Sequence, residues 1–502
     1  MLDKTKGKAT MSRAKQLEKK TKLIKKLKLS DEDLIKMLRN VFVSRKLDDT
    51  EIFMKKQSKA FFQISGAGHE GVLSAAAMVM KPAHDWFIPY YRDRALCTGL
   101  GVTPYEMLCQ ANGNIGDTAT HGRQMPAHWG NVALNIVQKS SCTGTQFLQA
   151  VGVAESGEYL KKIRDEHGID VSEFKLKDDE VVYASCGDGT TSQGEFWESI
   201  TTACVNKFPV IYHVEDNGYA ISTPVEVQTP GGSISKAMDD FPGLKVIECD
   251  GNCPIESYEA WREAVEHARK RRGPVLVHSH VTRPYSHSLS DDHSMYRTKK
   301  ELEAEAKLDV FNSYPKLLVE LGVMSEKEVN DLLEEVTSEV REAMNRAIET
   351  EWPKPEDSMD HLYSEDVDIT SSDFDTAGSF EGKDDIPMAG AINSVLKNEF
   401  KRNPLLRMFG EDVADFTELE KLDNPDLSGK GGVFKVSSGV QRASKEGQVF
   451  NSPLAEANII GRAIGMAMRG LKPVVEIQFF DYIWTAYMQH KNEMATTGYR
   501  SG

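Results

Sequence analysis

The residues best suited to chemistry are Gly187-Asp188-Gly189, which follow a short apolar run and precede an amphipathic one, and Asn217, with 27 residues between Gly189 and Asn217. An Asp carboxylate, an Asn carbonyl and the backbone carbonyl of Tyr219 are hard oxygen donors. Together with two diphosphate oxygens they would almost complete the octahedron that Mg²⁺ requires. The glycines would let the backbone approach the diphosphate. Two other readings of these residues stay open. Gly187, Gly189 and Gly194 loosely imitate a dinucleotide-binding loop. Against that, a bare carboxylate between the first two glycines repels a pyrophosphate unless a metal separates them. The plainer reading is a strand-to-helix turn with Asp188 as the helix cap.

These residues need a scaffold, and the stretch from 180 to 285 offers one. Short apolar runs at 181–186, 210–214, 245–248 and 275–278 alternate with amphipathic segments at 196–205 and 255–271. That order predicts a parallel sheet with helices on both faces, an α/β fold. Adjacent strand ends would then place Asp188 and Asn217 side by side at the carboxyl edge, where such folds bind ligands.

Ahead of this region Ser30-Asp-Glu-Asp supplies a capping box for Leu34, Ile35, Leu38, Val41 and Phe42 at helical spacing. The first 28 residues hold eleven Lys and Arg against two acids and read as a solvated, partly frayed leader. Residues 299–351 read as solvent-facing helices. From 356 to 385 there are eleven acids and one Lys, the composition of a linker. Beyond it the spacing predicts a helix at 389–400, strands at 405–409 and 474–480, and a Gly- and Ala-rich helix at 459–468. The expected organisation is therefore a basic leader (1–29), a first domain (30–355), an acidic linker (356–385) and a second α/β domain (386–502). About 115 residues is short for such a domain, so the second is expected to be incomplete.

Composition narrows the functional classes. The net charge of −15 repels nucleic acid from most of the surface, so binding it is not expected as the main activity. No apolar run reaches the roughly 18 residues needed to span a bilayer, and no membrane role is expected. Seven cysteines, none after Cys253, do not make a disulfide framework in a chain of this size, which points to a reducing cytoplasm. Cys249 and Cys253 lack a second Cys or His pair at zinc spacing.

The segment GDGTTSQGEFWESITTACVNKFPVIYHVEDNGYAIST (187–223) resembles the thiamine diphosphate motif of the first component of 2-oxo acid dehydrogenase complexes. GRQMPAHWG (122–130), KSSCTGTQ (139–146) and YSHSLSDDHSMYR (285–297) resemble alpha-subunit signatures of that family, in its order. FGEDVA (409–414), GGVFKVSSGV (431–440), VFNSPLAEANIIGRAIGMAMRG (449–470) and EIQFFDYI (476–483) resemble its beta subunit. The resemblance covers about 30–502 and implies an alpha subunit fused to the first part of a beta subunit, each part with the thiamine diphosphate-binding fold.

By this resemblance Asp188, Asn217 and the Tyr219 carbonyl hold Mg²⁺, while Gly189, Tyr91, Arg92, Ser141 and Thr143 contact thiamine diphosphate. Ser140, Cys142, Thr145 and Gln146 match a potassium-binding loop of some members, with Cys142 where a Pro is usual. His287 matches a catalytic loop histidine. Glu456 matches the glutamate that shares a proton with the aminopyrimidine, and Leu454, Gln478 and Tyr482 the wall around that ring. The implied reaction decarboxylates a small 2-oxo acid and passes the acyl group to the lipoyl arm of a dihydrolipoyl acyltransferase. The GRQMPAHWG and HSLSDDHSMYR segments favour branched-chain substrates, with pyruvate or acetoin as the alternative. A non-catalytic assembly subunit is the reading from another class. A cofactor held between an alpha-type and a beta-type domain implies at least a dimer-like interface, so a homo-oligomer is expected. Three departures from the family stand out. Glu215 occupies a position where branched-chain members commonly carry an Arg, Asp216 replaces the first Asn of an Asn-Asn pair, and a beta-subunit histidine would lie past Gly502.

Overall fold

A computed structural model describes residues 13–363, 367–368, 370–375 and 385–501. Parts of the acidic 356–385 segment, the start of the basic leader and Gly502 lie outside the described residues. The basic segment departs from expectation. Helix α1 (Arg13–Leu27) buries Leu23 and Leu27, and its lysines meet acids far away in sequence. Lys20 lies 2.7 Å from Glu256, and Lys26 lies 2.6 Å from Glu259. The segment is thus a docked amphipathic helix from Arg13 onward rather than a frayed one. Helix α2 (Asp31–Lys56) follows, with the capping box that Ser30 and Asp33 predict.

The main sheet has five parallel strands in the order β1 (Trp86–Ile88), β2 (Val182–Gly187), β3 (Val210–Asp216), β5 (Val275–His280) and β4 (Lys245–Asp250). Every residue of β3 is buried, as a central parallel strand covered on both faces requires. Side chains alternate between two cores. Tyr183, Ile211 and Val277 pack on the face of α2 and α5 (Pro254–Arg269). Val182, Ala184, Tyr212 and Val214 pack on the face of α3 (Gln146–His167) and α4 (Gly194–Asn206). The 299–351 region forms three helices, and the longest, α6 (Glu326–Glu349), buries Val336, Val340, Ala343 and Ala347. The rest of the helix faces solvent, as expected, so a solvent-facing helix also gives a stripe to the core.

After α7 (Met388–Arg402), a three-stranded parallel sheet runs β8 (Lys472–Glu476), β6 (Leu406–Gly410), β7 (Val449–Asn451), with α8 (Glu456–Met468) packed on it. The strand expected at 474–480 stops at Glu476. Helices α3 and α8 then cross at backbone contact. A Cβ on Gly152 would stand 2.0 Å from the Arg462 carbonyl oxygen, and one on Gly465 would stand 2.1 Å from that of Gln149. Only glycine allows this approach. Beside the crossing, Glu155 of α3 is held by both Arg407 and Arg462. Arg469 lies 2.6 Å from Glu180. No helix among the described residues is long and apolar enough to cross a membrane.

Candidate cofactor site

Asp188 follows β2, and in-register pairing of Gly187 with Glu215 brings the end of β3, with Asn217, alongside. The Asp188 side chain is buried, with Gln228 Nε2 3.5 Å away. Burial, reinforced by the neighbouring Asp216, pushes its carboxyl up to about 7. Asn217 Oδ1 accepts the Tyr219 N–H at 3.3 Å through the turn that Gly218 makes at φ 82°. Gly189 has a reason of its own to lack a side chain. A Cβ there would come within 2.5 Å of Ala220 Cβ and of Gln228 Oε1.

Arg92 is fully buried, and its Nη2 lies 3.1 Å from His287 Nδ1. Its guanidinium stands 5.2 Å over the ring of Tyr91, which meets the His287 imidazole edge-on at 6.1 Å. Burial, with Arg92 and Arg283 nearby, lowers His287 to about 4, so the ring is neutral near pH 7. Two arginines carry unspent donors. Arg92 Nε and Arg283 Nε and Nη1 are buried with no hydrogen-bond partner among the described residues. Both arginines influence the Asp188 carboxyl. Orphaned guanidinium N–H groups beside a buried carboxyl suit a polyanion bridged by a divalent cation. A diphosphate with Mg²⁺ fits these residues.

Sequence reasoning missed Arg283 and His69. Arg283 sits just past the carboxyl end of β5, and its position at that edge was the available signal. His69 Nε2 stands 3.3 Å from Asn217 Nδ2, and its Nδ1 stands 2.5 Å from Glu215 Oε2. Glu215, where an Arg is common in branched-chain members, is thus paired inward. Burial, together with Asp93, raises its carboxyl well above the ordinary range.

The 140–146 loop meets the segment 489–493. Ser140 hydrogen-bonds Glu493, Asn492 Nδ2 lies 3.0 Å from Cys142 Sγ, and Gln489 donates to the Thr145 carbonyl at 3.0 Å. Gln146 donates to the Ser185 carbonyl at 2.8 Å. Ser141 and Thr143 lie on the same loop. Potassium fits poorly here. The buried Lys139 ammonium already donates to the carbonyls of Ser140 at 2.7 Å and Cys142 at 3.4 Å, so a cation lies among the loop oxygens as a covalent part of the chain.

Glu456 opens α8 and accepts from Thr485 Oγ1 at 3.1 Å. Gln478 Nε2 donates to the Glu411 carbonyl at 3.1 Å. Leu454 and Tyr482 stand 77% and 45% exposed. None of Glu456, Gln478 and Tyr482 hydrogen-bonds a residue of the Asp188, Asn217 and Arg92 group among the described residues. The structure therefore brings Asp188, Asn217, Tyr91, Arg92 and His287 together and leaves Leu454 and Tyr482 exposed.

Residues 38–356 match the dehydrogenase E1 component family, and residues 384–502 match the transketolase pyrimidine-binding domain. Over 338 residues, 67% of this chain and 97% of the relative, the sequence is 32% identical to the 2-oxoisovalerate dehydrogenase subunit alpha of Bacillus subtilis (strain 168). It is 29% identical over 350 residues, 69% of each chain, to the mitochondrial 2-oxoisovalerate dehydrogenase subunit alpha 2 of Arabidopsis thaliana. The pyruvate dehydrogenase E1 component subunit alpha of B. subtilis is 30% identical over 338 residues, 67% of this chain and 83% of the relative. With an E1 match over the five-stranded sheet and a pyrimidine-binding match beyond it, the chain belongs to the thiamine diphosphate-dependent E1 components of 2-oxo acid dehydrogenases, as an alpha-type part fused to a beta-like part.

Proposed function

We propose that the protein decarboxylates branched-chain 2-oxo acids, 3-methyl-2-oxobutanoate among them, and delivers the acyl group to the lipoyl group of a dihydrolipoyl acyltransferase. The observation that carries the site is the pair of buried arginines, Arg92 and Arg283, with unspent donors beside Asp188. Thiamine diphosphate, when bound, supplies the electron sink that lets a 2-oxo acid lose CO₂. Asp188, Asn217 and the Tyr219 carbonyl would hold Mg²⁺, while Arg92 and Arg283 would bind the diphosphate oxygens. His287, neutral and anchored by Arg92, holds or moves a proton at its imidazole. Ser141 and Thr143 would contact the cofactor from the alpha side.

Glu456 would hold the proton shared with the aminopyrimidine, walled by Leu454, Gln478 and Tyr482. Because that wall is open, we infer that a second copy covers it, making a homo-oligomer. The seven cysteines are all free, which supports a cytoplasmic setting. Substrate choice rests on GRQMPAHWG, HSLSDDHSMYR and the branched-chain relatives. Pyruvate is the second reading, favoured by the 30% identity to a pyruvate dehydrogenase subunit. A panel of 2-oxo acids with a dye acceptor decides. Turnover highest with 3-methyl-2-oxobutanoate is expected, and pyruvate as the best substrate would overturn the branched-chain assignment.

A further inference from the structure

We propose that Asp216, His278 and His280 form a site for a divalent transition-metal ion of the Zn²⁺ kind, separate from the Asp188 and Asn217 set. The sheet itself builds the cluster. His278 and His280 are two apart on β5, and the register pairs Asp216 with His280 on one side and Asp250 with His280 on the other. His278 Nε2 lies 3.0 Å from Asp216 Oδ2, and His280 Nδ1 lies 3.8 Å from the same oxygen. One ligand atom from each of the three residues can be chosen so that all lie within 4.8 Å of one another.

The outer atoms are already anchored. His278 Nδ1 stands 2.9 Å from Ser235 Oγ, His280 Nε2 stands 2.6 Å from Glu248 Oε1, and Asp216 Oδ1 accepts the Gly218 N–H at 2.8 Å. A carboxylate or hydroxyl on the far nitrogen of a ligating imidazole fixes its tautomer and turns the near nitrogen to the metal. Two imidazoles and one carboxylate select Zn²⁺, Co²⁺ or Ni²⁺ over Mg²⁺. Asp216 and His278 are buried, while the His280 side chain is 48% exposed, which gives the ion a way in.

The test uses the full 502-residue chain, stripped with a chelator and titrated with Co²⁺ followed by visible absorption, then with Zn²⁺ by calorimetry. One Co²⁺ per chain is expected, with d–d bands, no thiolate charge-transfer band, and no displacement by excess Mg²⁺. Glu248→Gln should weaken binding about tenfold. His280→Ala removes a half-exposed ligand and should weaken it further, with circular dichroism unchanged. Equal Co²⁺ affinity in wild type and His280→Ala would overturn the site and leave a hydrogen-bonded cluster only. A thiolate band would move the ion to a cysteine, and competition by Mg²⁺ would move it to Asp188; either also overturns the proposal.

Discussion

Arg407 of β6 donates to Glu155 of α3 at 2.7 Å, a buried ion pair that reaches across the seam between the alpha-type and beta-like parts. Arg462 holds the same carboxylate from α8. Glu155→Gln would leave two buried guanidinium groups without a counter-charge. Chemical denaturation should show a loss of about 3 kcal/mol. A loss below the error of the extrapolation would show that the seam does not depend on this triad.

Asp188→Ala is expected to abolish Mg²⁺-dependent thiamine diphosphate binding, because the buried carboxylate is the one charged donor in the assigned Mg²⁺ set. Calorimetry with and without Mg²⁺ reads this directly. Undiminished affinity in the variant would remove Asp188 from the ligand set.

Glu456→Gln separates binding from chemistry. The amide keeps the contact with Thr485 but cannot hold the shared proton, so cofactor affinity should stay near wild type. Hydrogen–deuterium exchange at C2 of the bound cofactor should slow by about 100-fold. An unchanged exchange rate would exclude Glu456 from proton handling.

Glu195 supplies a pH dependence at the seam. Burial, opposed by the Gln489 amide at 3.0 Å, pushes its carboxyl up to about 7. Between the ordinary glutamate value of 4.5 and about 7 the folded chain holds a proton that the unfolded chain has released. This group's contribution therefore falls as pH rises across that window and levels off above it. Glu195→Gln should raise the thermal midpoint relative to wild type more at pH 8 than at pH 5.5. Parallel midpoint curves for the two proteins would count against the shifted carboxyl.

Much of this was legible in the sequence where the cause is local. The apolar run that becomes β3 is continuous because a central parallel strand is buried on both faces, and the Ser30 cap lies within one helical turn of its partner Asp33. The Asp188 and Asn217 juxtaposition follows from the strand and helix order alone. The rest depends on contacts hundreds of residues apart. The leader's lysines look solvated until Glu256 and Glu259 arrive beside them. His69 reveals itself only through the groups it faces across the sheet edge, whereas Arg283 is marked in the sequence by its place just past the end of β5. Tyr91, Arg92 and His287, taken from family resemblance, do meet in space, whereas Leu454 and Tyr482 are exposed.

The glycine crossing of α3 and α8 has a consequence for assembly. Because its two helices belong to one polypeptide, their association is unimolecular. Dilution that would dissociate two separate subunits does not change the ratio of alpha-type to beta-like parts here, since translation itself sets it at one to one.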